Sequence, residues 1–70
     1  MKKIELWRKA GNHLGLIGSG ETLEHAVQDA LNNGKINFFE DVDTLEDLTS
    51  YVYTAHSDYL IKEIKKWVNI

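Results

Sequence analysis

Five acids stand within eight residues, Glu40-Asp41-Val42-Asp43-Thr44-Leu45-Glu46-Asp47, the densest run of acids in this 70-residue chain. Three chemistries can use such a run. A calcium loop needs a central glycine and spaced acids ending in a bidentate Glu, and neither is present. A catalytic carboxylate pair needs one acid held in an apolar pocket, and the neighbouring residues build none. The third use is recognition. Five carboxylates this close approach the charge density of a nucleic-acid backbone, so the run suits a basic protein surface of the kind that binds DNA or RNA. The plain alternative is a solvated loop and helix entrance, where acids favour the positive end of the dipole.

The other candidates for chemistry are weaker. Gly15-x-x-Gly18-x-Gly20 precedes a helix and suggests a phosphate cradle. It lacks the Walker lysine, its spacing is not that of a dinucleotide fingerprint, and Glu21 and Glu24 would repel a phosphate. It reads as a turn. His13, His25 and His56 fall on separate elements, and the helical pairs Glu21/His25 and His25/Asp29 read as exposed ion-pair partners. A metal site needs three or four convergent ligands, so none is expected, and no cofactor either. Cysteine is absent, which removes thiolate zinc sites and thiol nucleophiles. No catalytic constellation emerges, and the chain reads as a non-enzyme. Most of the seven aromatics must be core in a chain this short, and Tyr53 and Tyr59 are the ones expected to stay exposed as contact anchors. The candidate partner-binding set is therefore Glu40, Asp41, Asp43, Glu46, Asp47, Tyr53 and Tyr59.

These residues need elements to position them. Lys3–Arg8 alternates with Ile4 and Leu6 on one face, Gly11-Asn12 is turn chemistry, and His13–Ile17 returns as a second strand. Thr22 caps a helix whose stripe is Leu23, Ala26, Val27, Ala30 and Leu31, with Gly34 at the C′ position. Lys35–Phe39 reads as a third strand with Ile36 and Phe38 on one face. Thr44 opens a second helix, with Asp47 closing a short capping box and Leu45, Leu48, Val52 and Ala55 at helical spacing. Tyr51–Thr54 also has strand character. Ser57 can cap a last helix carrying Leu60, Ile61, Ile64, Trp67 and Val68, or one bent helix can run from Thr44 to Val68.

The expected architecture is a single α+β domain over residues 1–70. It has a small antiparallel three-stranded sheet with helices on one face, in the order ββαβαα, or ββαββα if Tyr51–Thr54 is a strand. The expected core is Ile4, Leu6, Leu16, Leu23, Val27, Leu31, Ile36, Phe38, Leu48, Val52, Ile64 and Trp67. A core this small supplies about 3–5 kcal/mol, which leaves room for a homodimer or a partner complex.

The net charge of −3 hides a segregation. Residues 1–10 carry +3, residues 11–58 carry −8 and residues 59–70 carry +2. The cations Lys2, Lys3, Arg8 and Lys9 can join Lys62, Lys65 and Lys66 if the two ends meet in space. Lys62, Lys65 and Lys66 otherwise read as cations at a helix C-terminus. The larger acidic surface opposes a phosphate backbone, so direct nucleic-acid binding is not expected. Met-Lys-Lys opens like a signal peptide, but Glu5, Arg8 and Lys9 interrupt any apolar h-region, and no run is long enough to span a membrane. The expected location is cytoplasmic, with no membrane partner.

Residues 36–59 resemble part of the ArdA antirestriction proteins, which are DNA mimics. The shared features are an apolar strand (Ile36, Phe38), an acidic link (Asp41, Asp43) and a helix bearing Leu45, Asp47, Leu48 and Tyr51. In type the chain also resembles the small cysteine-free counter-defence proteins of phages and mobile elements, anti-CRISPR proteins among them. The resemblance implies a non-enzymatic inhibitor that covers the basic site of a nucleic-acid-processing enzyme. The rival class is a small homodimeric interaction or assembly domain with a merely solvated acidic face.

Overall fold

A computed structural model describes residues 2–65. Two strands open the chain, β1 (Lys2–Ala10) and β2 (His13–Gly20). They form an antiparallel hairpin in which Ala10 pairs with His13 across Gly11-Asn12. Gly11 takes φ +63°, the conformation a first turn residue needs in a two-residue hairpin and one that costs glycine nothing.

Helix α1 (Leu23–Asn32) follows. Thr22 Oγ1 accepts from the His25 N–H at 3.1 Å, satisfying one orphan donor of the first turn. At the other end Gly34 N–H donates to the Leu31 carbonyl and Lys35 N–H to the Ala30 carbonyl, the paired bonds of a Schellman stop with Gly34 at φ +69°. Helix α2 (Leu45–Thr54) starts from Thr44, whose Oγ1 accepts from Asp47 N–H. Strand β3 (Tyr59–Lys65) then pairs antiparallel with β1, so the sheet order is β2-β1-β3 with the first strand in the middle.

The fold class is thus α+β, a three-stranded antiparallel sheet with two helices, in the order ββααβ. Two expected elements are corrected. Lys35–Phe39 is not a strand. Among the described residues its only ladder contact is the local bridge Phe39–Val42, while Ile36 turns into the core and Phe38 stays 45% exposed. The last helix is not a helix either, nor does one helix run on from Thr44, because Tyr59–Lys65 is β3. The spacing of Leu60, Ile61 and Ile64 fits a helical stripe, but in a strand Ile61 points inward and Leu60 and Ile64 outward. The open edge of β1 offers that strand seven paired positions, from Lys2–Lys65 to Arg8–Tyr59, and the backbone hydrogen bonds decide. Tyr51–Thr54 is helical, which removes the ββαββα alternative.

The core comprises Ile4, Leu6, Ile17, Ala26, Val27, Ala30, Ile36, Leu48 and Val52. Leu23 and Leu31 are partly buried against it, Ile64 is half-buried, and the expected Trp67 lies outside the described residues. Leu16, expected inside, is 48% exposed. The cause is a β-bulge opposite Leu6/Trp7, which places Ile17 with the core and turns Leu16 to the outer face beside Trp7. The glycine run has its explanation here too. A Cβ at Gly18 would collide with the Ala26 carbonyl oxygen and lie 2.9 Å from Ala30 N. One at Gly20 would lie 3.0 Å from Ala26 N. Bare backbone on β2 and alanine on α1 let helix and strand approach closely.

Candidate partner-binding surface

The acidic run is held by two local devices. Phe39 and Val42 exchange both backbone hydrogen bonds, 3.0 and 2.9 Å, and close Glu40-Asp41 into a tight reversal. Asp41 sits at its tip with φ +72°, a conformation that Asp and Asn tolerate better than most side chains. Val42 tucks against the core and leaves its neighbours Asp41 and Asp43 outside. The second device is the cap of α2. With Leu48 and Val52 buried and Leu45 packed against them, Glu46, Asp47, Ser50 and Tyr51 face solvent.

All five acids of the run are exposed. Among the described residues no cation lies within ion-pair distance of any of them. Beside them stands an aromatic pair missing from the sequence-derived set. Phe39 and Tyr51 meet edge to face at 5.0 Å and 74°, the geometry ring quadrupoles favour. Tyr51 lies one helical turn beyond Asp47, on the same stripe of α2. Phe39 is 45% exposed and Tyr51 37%, and Phe38 next to them is also exposed. One signal for this cluster was present in the sequence. Phe38 and Phe39 are adjacent, so an extended chain sends them to opposite sides and at least one needs a cover other than the core.

The structure separates Tyr53 and Tyr59 from these acids. Tyr53 is at the far end of α2, 63% exposed, with its ring centroid 6.4 Å from that of His56. Tyr59 opens β3 half-buried, with the Arg8 guanidinium 5.7 Å above its ring and Arg8 Nη2 3.5 Å from its hydroxyl. Both tyrosines line a groove of about 430 Å³ floored by Ile4 and Ile61, where α2 only loosely covers β3. Tyr51 and Tyr59, which a continuous helix would have put on one face, are on different elements.

The first and last described strands do meet. The register sets Lys2 opposite Lys65 and Glu5 opposite Lys62 on neighbouring strands. Lys62 and Lys65 thus belong to a strand and not to a helix C-terminus, and Lys66 lies outside the described residues. The cations gather on the sheet, whereas the acid-rich stretch belongs to the helical side. Asp29 is withdrawn from the free acids, because its Oδ2 accepts from Ser19 N–H at 3.0 Å on the outer edge of β2. His13, His25 and His56 sit on β2, on α1 and after α2, and among the described residues no three His, Asp or Glu side chains come together as a metal cluster. No described helix is long and apolar enough to cross a membrane. Searches against family models, curated proteins and solved structures return no match to this chain.

Proposed function

We propose that this protein acts by binding, without catalysis, and that its acidic helical side docks onto the basic surface of a protein partner. One observation carries the reading. Five exposed acids, none with a described cation within ion-pair distance, adjoin an exposed Phe39–Tyr51 pair on a pre-formed turn and helix. Charge alone raises the encounter rate but gives little affinity, because exposed pairs are screened over about 8–10 Å. Aromatic side chains that are already packed lose little freedom on docking and supply the apolar anchor. A partner that holds DNA or RNA in a basic groove offers the matching field. The inhibitory role is that of the counter-defence proteins, occupying such a groove against its nucleic acid.

The test is surface plasmon resonance against a panel of restriction and CRISPR nucleases, at low and physiological salt. Binding is expected to at least one of them. Asp41→Lys/Asp43→Lys should slow association by roughly tenfold or more, with dissociation little changed. Phe39→Ala/Tyr51→Ala should act the other way and speed dissociation. A panel with no binder, or a binder indifferent to both double substitutions and to salt, removes the proposal.

A further inference from the structure

Neither helix covers the outer face of the sheet, and its centre is apolar. Antiparallel pairing sets Leu16, Trp7 and Leu60 in one row across all three strands. Leu14 and Leu16 are 50% and 48% exposed there. They face outward because of the β2 bulge, a device that commonly re-aims side chains for use. Without it, strict alternation from Gly18 would carry both leucines to the inner face.

The charges around this row follow a pattern. Glu5 lies two residues before Trp7 and Lys9 two residues after, so all three share the outer face of β1. On β3, Lys62 is the partner of Glu5, and in the turn just before β3 the Asp58 carbonyl accepts the Lys9 N–H at 2.8 Å. Opposite signs thus flank the apolar row on β1, and beside it Lys62 of β3 and Asp58 of the preceding turn repeat them in reversed order. A two-fold axis along the Leu16–Trp7–Leu60 row, lying between two facing sheets, reverses each strand onto its copy. Each residue of the row then meets itself, Lys9 faces Glu5 of the second copy, and Lys62 faces Asp58 of the second copy. The face is complementary to itself in charge and in apolar surface, whereas a partner of one sign would satisfy only half of it.

We propose that two copies of this chain associate face to face through the outer surface of the sheet, about a two-fold axis at Trp7. Closed two-fold pairs are the commonest assembly of identical chains. In the single chain Trp7 Nε1–H donates to Glu5 at 3.1 Å, Lys62 lies 5.1 Å over the indole and Lys9 Nζ donates to the His56 carbonyl at 2.8 Å. These contacts hold the tryptophan on the sheet, and the two lysines swing from them to the second copy. Strand spacings give roughly 300–400 Å² of projected area per copy, small against standard interfaces, so the pair is a concentration-dependent equilibrium.

Sedimentation equilibrium from about 10 μM to about 1 mM, the range of a small interface, reads the proposal. Wild type should move from monomer to dimer. Glu5→Lys and Lys9→Glu, each folded by circular dichroism, should weaken the dimer by roughly tenfold or more, since each sets like charges opposite one another. An equimolar mixture of these two variants should dimerise again, because one copy then carries only cations at the two positions and the other only acids. Leu16→Lys, at an already exposed site, should be monomeric. Asp41→Lys/Asp43→Lys should dimerise like wild type, so this result stands or falls apart from the acidic surface. A wild type that stays monomeric throughout, a Lys9→Glu variant that dimerises normally, or a mixture of folded variants that stays monomeric overturns the proposal. So does a dimer abolished by Asp41→Lys/Asp43→Lys, which would move the interface to the helical side.

Discussion

The same three strands make both faces of the sheet, yet the faces invert the usual allocation of side chains. On the inner face of β2, Gly18 and Gly20 offer nothing, and the α1 backbone lies directly against them. On the outer face Leu14 and Leu16 keep full side chains with no helix above. Apolar character does not assign a residue to the core. Register does, and a single bulge shifts a strand's whole set from one face to the other. The two helices differ in the same way. α1 lies tightly on β2 through glycine and alanine, while α2 touches β3 so lightly that a groove remains between them.

The largest expected effect tests the tight side. Gly18→Ala places a methyl group against the Ala26 carbonyl and Ala30 N, backbone atoms that cannot turn away. Overpacking of this kind costs about 3 kcal/mol or more. That is close to the whole stability of a domain this small, so urea titration should find the variant largely unfolded. Leu16→Ala, on the outer face of the same strand, should cost under about 1 kcal/mol. Equal losses would erase the contrast between the faces.

A middle effect separates buried from exposed apolar residues on the helical side. Leu48 is fully buried on α2, and Leu48→Ala should cost about 2–5 kcal/mol. Phe38 has the larger side chain but remains 45% exposed, and Phe38→Ala should cost about 1 kcal/mol or less. Thermal melts of the pair check the order, and a reversed order would return Phe38 to the core.

The smallest effect concerns the edge of β2. Asp29→Ala removes the acceptor for the Ser19 N–H, a loss of about 1 kcal/mol, read as a fall in Tm of about 4–8 °C. Asp43→Ala, with an exposed carboxylate that has no cation within ion-pair distance among the described residues, should leave Tm within a degree or two of wild type.

Much of the candidate surface was legible because it is local. The acids lie consecutively, Thr44 announces the helix that follows, and the amphipathic stripe of α2 turns Glu46 and Asp47 outward. The aromatic half was not legible, because it depends on how residues 35–44 fold back. Phe39 reaches Tyr51 across eleven intervening residues only after the Phe39–Val42 bridge has closed. Tyr53 is the exposed ring expected, whereas Tyr59 is partly buried against the core, and the position of both relative to the acids is a matter of element order.

The hairpin, α1 and the start of α2 follow from the sequence by itself. Gly11-Asn12, Thr22, Gly34 and Thr44 each satisfy or release backbone groups within a few residues, and such preferences act before any tertiary contact forms. What residues 35–65 become was decided by tertiary structure. β1 has two edges, the hairpin fills one, and the other pairs with whichever segment best meets its hydrogen-bonding groups. That contest joins residues as far apart as Lys2 and Lys65, so no local spacing records its result. The same pairing brings the described cations of β1 and β3 onto one sheet, while the run Glu40–Asp47 stays on the helical side.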